Sequence, residues 1–323
     1  MDRRRFILSS LGSVFALTAC QYEALTEIKK QYPNVLMLVV DDLNDWIGPM
    51  QGHPNTKTPN IDRLAAKGTV FQNAHAPAPL CGPSRASILT GLAPSSTGIY
   101  GQVKDDDIKK ANPKAAESLF LSEYFRQHGY YTAAVGKIFH HGIASGSFDV
   151  FGGRVKAFGP YPDERFEWKD PRTNTDWGAF PERDEQMPDY DTANWLVEHL
   201  AMKHDKPFFI AGGFLRPHVP WYVPKKWFDM HPLDEIELPP YLADDLADVP
   251  DIAKAISEHP MMPTTEWALE KNEWKKIVQA YLASISFVDH CIGMVLDALE
   301  NSAYADNTAV VMWGDHGYSL GEK

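Results

Sequence analysis

Apolar runs of strand length alternate with helical patterns along most of the chain. The runs are NVLMLVV at 34–40, YYTAAVG at 130–136, PFFIAGG at 207–213 and NTAVVMWG at 307–314. Nearly continuous apolar runs are typical of strands buried on both faces of a sheet. Their alternation with helices predicts an α/β fold in which helices cover both faces of a mostly parallel central sheet.

Helical patterns and loop-like segments lie between these runs. Four of these helices have recognisable ends. The first starts after Thr58 as N-cap, the second ends at Gly129, the third starts with Asp191 as N-cap, and the fourth runs over 272–299. Two further segments, 142–190 and 231–265, are rich in Pro, Asp, Trp and Gly. They are predicted to be long surface loops that shape a substrate pocket.

Length and charge narrow the class of protein. The 323 residues suffice for two ordinary domains or one large α/β domain, and 44% hydrophobic residues can form a substantial core. The formal net charge of −12 argues against a nucleic-acid partner or a polybasic membrane surface, both of which need a positive field.

The N-terminus has the pattern of an export signal. Three arginines precede an apolar stretch that ends in Leu-Thr-Ala-Cys, so residues 1–20 are predicted to be a signal peptide and residues 21–323 the catalytic domain. The ending resembles a bacterial lipobox, which implies lipidation of Cys20 and a periplasmic or outer-membrane lipoprotein. The RRRFI stretch also resembles a twin-arginine signal. An ordinary cleaved signal peptide is the alternative.

Two cysteines remain, Cys81 and Cys291. Cys291 lies in an apolar helical pattern, which favours a buried free thiol. A disulfide between the two stays open, because the compartment outside the cytoplasm permits one.

Polar residues of chemical interest directly follow each of the four predicted strands. Because the carboxyl ends of parallel strands meet at one edge of a sheet, these clusters are expected to converge on a single site. The residues, in chain order, are Asp41, Asp42, Lys137, His140, Arg216, His218, Asp315 and His316.

Their types suggest two kinds of chemistry. Asp41, Asp42 and Asp315 would repel one another unless a divalent cation with a preference for oxygen ligands, Ca²⁺ or Mg²⁺, lay between them. His316 is either a ligand or a group that orients one. The second set supplies donors for a tetrahedral oxyanion such as sulfate or phosphate: Arg85, Lys137, His140 and His218.

The stretch LCGPSRASILTG places Cys81 at the predicted start of a helix, with Gly91 as its stop. A helix N-terminus favours an anion, so an unmodified thiolate nucleophile is one interpretation. The short spacing from Cys81 to Arg85 and the three carboxylates do not fit the cysteine phosphatases.

The motifs resemble those of the type I sulfatases. Cys81 to Arg85 matches the family signature C-x-P-S-R, and the Asp-Asp pair, VGKIFHHG, RPHVPW and GDHG match its other motifs in order over most of the chain. VGKIFHHG, RPHVPW and the Asp-His pair look most like the iduronate-2-sulfatase branch.

The resemblance implies an alkaline-phosphatase-like α/β/α sandwich and the oxidation of Cys81 to Cα-formylglycine by a maturation enzyme. It implies a metal site, with Ca²⁺ expected and Mg²⁺ as the alternative, formed by Asp41, Asp42, Cys81, Asp315 and His316. One hydroxyl of the hydrated aldehyde would attack sulfur, and the second would expel sulfate.

The resemblance also implies roles for four further groups, whereas the aromatic residues are judged from their residue types alone. Arg85 would hold the diol, and His140 would be the base for sulfate release. Lys137 and His218 would bind the sulfate oxygens or protonate the leaving alcohol. Trp221, Tyr222 and Trp227 either stack on sugar rings or belong to the core; Trp221 is taken as the substrate-binding candidate.

The sequence departs from the family at its end. The family has a further sulfate-binding lysine beyond the GDHG aspartate and then a smaller C-terminal domain, and Lys323 comes too early to be that lysine. A truncated sulfatase is therefore expected, poorly active and with a sheet edge left uncovered.

The predicted function is hydrolysis of sulfate esters on a sulfated oligo- or polysaccharide. One alternative is a phosphatase or phosphonate hydrolase of the alkaline phosphatase superfamily. Another is an inactive, lipid-anchored glycan-binding protein. The sugar, the sulfate position and the oligomeric state are not determined by these residues.

Overall fold

The four predicted strands form, and they lie in one parallel sheet. Strands β1 (Asn34–Val40), β2 (Tyr131–Gly136), β5 (Phe208–Phe214) and β7 (Thr308–Gly314) are joined by the short β3 (Val150–Phe151). The strand order is β3-β2-β5-β1-β7, and every pair is parallel. This confirms the predicted α/β class with a mostly parallel central sheet.

The computed structural model describes residues 33–154, 157–257 and 262–321. The predicted signal peptide, its Cys20, and Lys323 lie outside these residues. The described helices are α1 (Pro59–Ala66), α2 (Cys81–Thr90), α3 (Pro94–Thr97), α4 (Pro113–Glu117), α5 (Leu121–Gln127), α6 (Pro188–Ala201), α7 (Lys225–Asp229), α8 (Asp251–Ser257), α9 (Thr265–Glu270) and α10 (Trp274–Glu300). Strands β4 (Trp177–Ala179) and β6 (Trp221–Val223) form a separate parallel pair.

Helices cover both faces of the sheet. Successive side chains of a strand point to opposite faces, so the apolar residues of one strand contribute to a core on each side. Leu36 and Leu38 of β1 belong to a core cluster with residues of α6 and α10. Met37 and Val39 belong to a second cluster, which includes Leu89 of α2. The result is the α/β/α sandwich that the resemblance implied.

Helix α10 is the largest element of the first cluster. It is long and apolar enough to cross a bilayer, but 78% of that apolar stretch is buried inside the protein, so its apolar residues serve the core. Cys291 lies fully buried in this helix. Both Cys81 and Cys291 are free, so the disulfide that the sequence left open is absent.

Two details of the sequence-based assignment were wrong. Helix α6 begins at Pro188, after Met187 as N-cap, and Asp191 lies in its first turn. A proline suits the first helical position because its fixed φ is helical and its missing N–H would have no partner there. The segments 142–190 and 231–265 are not wholly irregular, since they contain β3, β4, the start of α6, and α8.

Strand β7 is an edge strand of the sheet within the described residues. Its first four residues alternate between half-buried and exposed, its last three are half-buried, and Val311 is 48% exposed.

Two glycines allow β2 and β5 to approach each other closely where they end. Gly136 has a φ of 76° and pairs with Gly213. A Cβ on Gly213 would lie 2.1 Å from the carbonyl oxygen of Lys137. The Lys137 N–H also donates to the Gly213 carbonyl at 2.9 Å. This pairing fixes the backbone from which Lys137 enters the site.

Replacement of Gly213 by alanine should lower the free energy of unfolding by about 2 kcal/mol or more, because the new methyl group meets backbone that cannot move aside. The control is Gly101→Ala, whose Cβ would have no atom within 4 Å. Its effect should stay within about 0.5 kcal/mol. Urea unfolding measures both, and equal stability of the two variants would contradict the steric explanation.

Candidate active site

The sequence-predicted polar residues come together beyond the carboxyl ends of the central strands. Asp41 and Asp42 follow β1, Lys137 follows β2, and Asp315 follows β7. These four residues are at most 4% exposed. The parallel register brings the strand ends to one edge, which is why residues far apart in sequence meet there.

Helix α2 brings Cys81 and Arg85 to the same place. Leu80 is extended, Cys81 is the first helical residue, and Gly91 ends the helix with a left-handed φ of 70°. Residues four apart lie on one face of a helix, so Cys81 and Arg85 point the same way. The predicted helix start and stop are both confirmed.

Arg85 and Lys137 neutralise two of the three buried carboxylates. Arg85 Nε lies 2.8 Å from Asp315 Oδ2, and its Nη2 lies 3.1 Å from Asp41 Oδ1. Lys137 Nζ forms an ion pair with Asp41 Oδ2. These two cations hold the pKa of Asp41 well below its usual value, against the effect of burial, which is the largest single influence and raises it.

Asp42 is the carboxylate without a full counter-charge. Burial and the neighbouring Asp41 raise its pKa to about 8. Its backbone has a left-handed φ of 61°, and its conformation is fixed by two hydrogen bonds. The Asp42 N–H donates to Asp315 Oδ1 at 3.0 Å, and the Tyr281 hydroxyl donates to the Asp42 carbonyl at 2.7 Å. The structure thus holds an acidic side chain where it cannot easily ionise unless a further cation is near.

His316 faces both Asp42 and Cys81. Its Nε2 is 3.0 Å from Asp42 Oδ1 and 3.2 Å from Cys81 Sγ. Its Nδ1 donates to the Gly317 carbonyl at 2.9 Å, because a carbonyl can only accept. In the neutral ring Nε2 therefore carries a lone pair directed at the site, as a metal ligand requires.

The donor set fits a divalent cation. One donor atom from each of Asp41, Cys81, Asp315 and His316 lies within 4.8 Å of the others, and Asp42 forms a similar group with Cys81 and His218. Three buried carboxylates meet two cationic side chains, Arg85 and Lys137, and a bound cation would balance the remaining negative charge.

Cys81 does not have the properties of a thiolate nucleophile. It is 4% exposed, and its Sγ lies 4.0 Å from Asp42 Oδ1. Burial, and then the charge of Asp41, raise its pKa far above the usual value, and these effects outweigh the helix N-terminus. The unmodified side chain is therefore a neutral thiol at neutral pH.

His218 faces the second carboxylate oxygen of Asp42, with its Nε2 3.9 Å from Asp42 Oδ2. Its Nδ1 donates to the Val219 carbonyl at 2.6 Å, and its ring stacks on Phe158 with the centroids 4.5 Å apart. Burial lowers its pKa to about 4, although Asp41 opposes this. The imidazole is therefore neutral at neutral pH.

His140 lies on the loop that follows Lys137. Burial, with the nearby positive charges of Lys137 and His141, lowers its pKa to about 3. Its Nδ1 is buried without a hydrogen-bond partner among the described residues. The Asp105 carboxylate accepts hydrogen bonds from the backbone N–H groups of His141 and Gly142, which fixes the loop.

The predicted sugar-stacking role of Trp221 is wrong. The residue is fully buried in β6, its Nε1 donates to the Pro217 carbonyl at 2.6 Å, and its ring packs on Tyr281 and Tyr318. Tyr222 and Trp227 are also buried. All three aromatic residues belong to the core, the alternative that the sequence had left open.

Sequence reasoning missed two residues beside the site, Arg154 and Phe158. The Phe158 ring lies 4.5 Å from the Arg154 guanidinium carbon and 5.3 Å from Lys137 Nζ. Both residues lie in the segment that the sequence assigned only to pocket-shaping loops. The assignment of this segment to pocket-shaping loops was the only sequence signal for these two residues, because its apolar residues follow no helix or strand periodicity.

Comparison with known proteins decides the family. A family model described as Sulfatase matches residues 33–323. The chain belongs to the sulfatase family. A sulfatase of Formosa agariphila is 51% identical over 337 aligned positions, which cover all of this chain and 66% of that protein. Human iduronate 2-sulfatase is 31% identical, with 90% of this chain and 55% of that enzyme covered.

Solved structures share the fold of this sulfatase-family chain. The phosphonate monoester hydrolase of Agrobacterium radiobacter has a TM-score of 0.68 at 20% identity, covering 90% of this chain and 64% of its own. A 2-O GAG sulfatase has a TM-score of 0.61 at 22% identity, covering 90% and 59%. This sulfatase-family chain spans between about half and two thirds of the length of these relatives.

Proposed function

We propose that the protein hydrolyses sulfate esters of a sulfated glycan. The observation that carries the proposal is the joining of Cys81 and Arg85 on one helix with three buried carboxylates, Lys137 and two imidazoles. A tetrahedral oxyanion fits between such donors. Membership of the sulfatase family supports sulfate over phosphate as the oxyanion.

The neutral, buried thiol of Cys81 supports its oxidation to formylglycine by a maturation enzyme. A thiol with a raised pKa is a poor nucleophile, whereas the hydrated aldehyde would supply a hydroxyl nucleophile and a second hydroxyl for sulfate release. Arg85, whose guanidinium pairs with Asp41 and Asp315, would bind and orient the side chain at position 81.

Asp41, Asp42, Asp315 and His316 would hold a divalent cation, Ca²⁺ or alternatively Mg²⁺, together with the oxidised side chain at position 81. The cation would supply Lewis-acid stabilisation of negative charge. Its fit rests on the uncompensated Asp42 carboxylate and on the lone pair of His316 Nε2.

Three further side chains of the site would handle the sulfate ester. Lys137 would bind a sulfate oxygen. His218, neutral in the free protein, would gain a proton when the sulfate binds and donate it to the leaving alcohol. His140 would accept the proton released with sulfate; a bound anion would raise its low pKa toward a useful range.

A sulfated oligo- or polysaccharide is the proposed substrate class. Relatives include iduronate 2-sulfatases at 31% identity and an ulvan-active sulfatase at 28%. We further propose export and lipid attachment at Cys20, on the basis of the N-terminal pattern alone. Release from membranes after Cys20→Ala would test the attachment, and an unchanged distribution would contradict it.

The direct test of the function uses protein produced with a formylglycine-generating enzyme. It should release sulfate from 4-nitrophenyl sulfate, and release 4-nitrophenol from the corresponding phosphate far more slowly. Preference for the phosphate would favour the phosphatase alternative. Binding of sulfated oligosaccharide without any sulfate release would favour the inactive glycan-binding alternative.

Removal of divalent cations should also abolish sulfate release, because Asp42 would lose the charge that keeps it ionised. Treatment with EDTA followed by desalting should lower the rate by about a hundredfold or more, and Ca²⁺ or Mg²⁺ should restore it. Full activity after exhaustive chelation would rule out the metal site.

A further inference from the structure

The wall of the site contains buried polar atoms that have no hydrogen-bond partner among the described residues. Eight buried side-chain nitrogen and oxygen atoms among the described residues lack a hydrogen-bond partner, and three of them belong to Arg154 and His140. They are Arg154 Nε, Arg154 Nη2 and His140 Nδ1. Desolvated polar atoms normally find a partner, so their concentration at one place indicates a missing group.

Arg154 is fixed in position although half of its guanidinium is unused. Its Nη1 donates to the His140 carbonyl at 2.8 Å, and its guanidinium carbon lies 4.5 Å from the Phe158 ring centroid. Lys137 Nζ and the His218 ring contact the same Phe158 ring, at 5.3 Å and 4.5 Å. Arg154 therefore contacts the same aromatic ring as Lys137 and His218, the groups proposed to bind the sulfate.

No described acidic side chain forms an ion pair with Arg154. The charges of Asp41 and Asp105 act on Arg154 from a distance, but Asp41 is paired with Arg85 and Lys137, and Asp105 accepts hydrogen bonds from the backbone of His141 and Gly142. A desolvated guanidinium without a counter-ion is unfavourable, and burial lowers its pKa accordingly. In a chain with a net charge of −12, a cation left unpaired here points to an anion supplied from outside.

The free atoms also define the shape of that anion. Nε and Nη2 form one edge of the guanidinium, the edge that binds two oxygens of a carboxylate or sulfate side by side. Arg154 as a residue is only half-buried, so it belongs to the wall of the site and not to the core.

We propose that Arg154 binds a second anionic oxygen group of the substrate, a carboxylate or a further sulfate. This group lies on the sugar that carries the scissile sulfate or on its neighbour. The proposal rests on the proposed function, because it takes the scissile sulfate to be held at Lys137. Arg154 would then select doubly charged glycan units over singly charged ones.

The test measures binding by isothermal titration calorimetry in a Cys81→Ala background, which has no nucleophile and cannot turn over. The three ligands are a uronate 2-sulfate glycoside, a disulfated hexosamine and a monosulfated galactose. Arg154→Gln should raise the Kd for the doubly charged ligands about tenfold or more beyond its effect on monosulfated galactose. Selective loss with only one of the two doubly charged ligands would identify the group as carboxylate or sulfate.

Equal weakening for all three ligands, no change for any, or no measurable binding by any of them would overturn the proposal. Arg172→Gln is the matched control, since Arg172 is exposed and paired with Asp170; it should leave all three Kd values unchanged. If Arg154→Gln does not fold, Arg154→Lys keeps the charge but loses the paired contact and should show the same selectivity in weaker form. Sulfate release by the matured protein is measured separately, so selective binding without turnover would refute the proposed function alone.

Discussion

Cys81→Ala should abolish sulfate release, with a fall in kcat of about four orders of magnitude or more. The reason is that the proposed nucleophile is a hydroxyl of the hydrated aldehyde at position 81, whereas the nearby Ser84 hydroxyl is fully buried and already donates to the Asp315 carbonyl. Phosphate-free assays with 4-nitrophenyl sulfate measure the rate. Peptide mass spectrometry of the parent protein should show the mass change from thiol to aldehyde at Cys81.

The matched control is Cys291→Ala, the other cysteine among the described residues. Cys291 is fully buried in α10 and takes no part in the site. Its replacement should cost about 1 kcal/mol of stability through the small cavity it leaves, with kcat unchanged. Sulfate release by Cys81→Ala at the parental rate, or an unmodified thiol in active protein, would refute the proposed chemistry.

Arg85→Leu should produce the largest loss of stability of any single substitution in the site. Arg85 is 1% exposed and pairs with the buried carboxylates of Asp41 and Asp315. Its removal leaves these carboxylates facing Asp42, and among the described lysines and arginines Lys137 alone still pairs with one of them. Breaking a buried pair in this way costs about 3–5 kcal/mol, which corresponds to a fall in Tm of about 10 °C.

Arg172→Leu provides the control, because Arg172 is 68% exposed and its pair with Asp170 is screened by solvent. Its effect should stay below about 1 kcal/mol. Differential scanning calorimetry compares the two variants. If Arg85→Leu melted within a degree or two of the parent, the charge balance proposed for the site would be wrong. A bound divalent cation should partly rescue the Tm of Arg85→Leu, because it supplies part of the lost positive charge.

The hydrophobic pattern alone predicted the central strands and the residues that meet at their ends. The apolar runs predicted four parallel strands, and the residues after each run, such as Asp41, Lys137 and Asp315, meet as expected. Parallel strands place their carboxyl ends at one edge whatever the details of packing, so convergence could be inferred from strand type and direction. The start of α2 at Cys81 and its stop at Gly91 were likewise local properties of the sequence.

The local sequence pattern did not predict which side chains of the motifs are buried. Trp221, an aromatic residue after a motif, is equally compatible with a sugar platform and with a core position, and the packing of Tyr281 and Tyr318 decides for the core. The helix dipole at Cys81 suggests a lowered pKa, but burial, and then the carboxylates that follow β1 and β7, raise the pKa instead.

By itself, the sequence determined the fold class, the family resemblance and the set of groups that gather at the sheet edge, because these depend on periodicity and on motifs a few residues long. Only the tertiary structure decided the protonation of Cys81 and Asp42, the burial of Trp221 and the position of Arg154 beside Phe158. These properties depend on which charges and rings lie within a few ångströms of each other in space, and such neighbours come from segments separated by many residues in the chain.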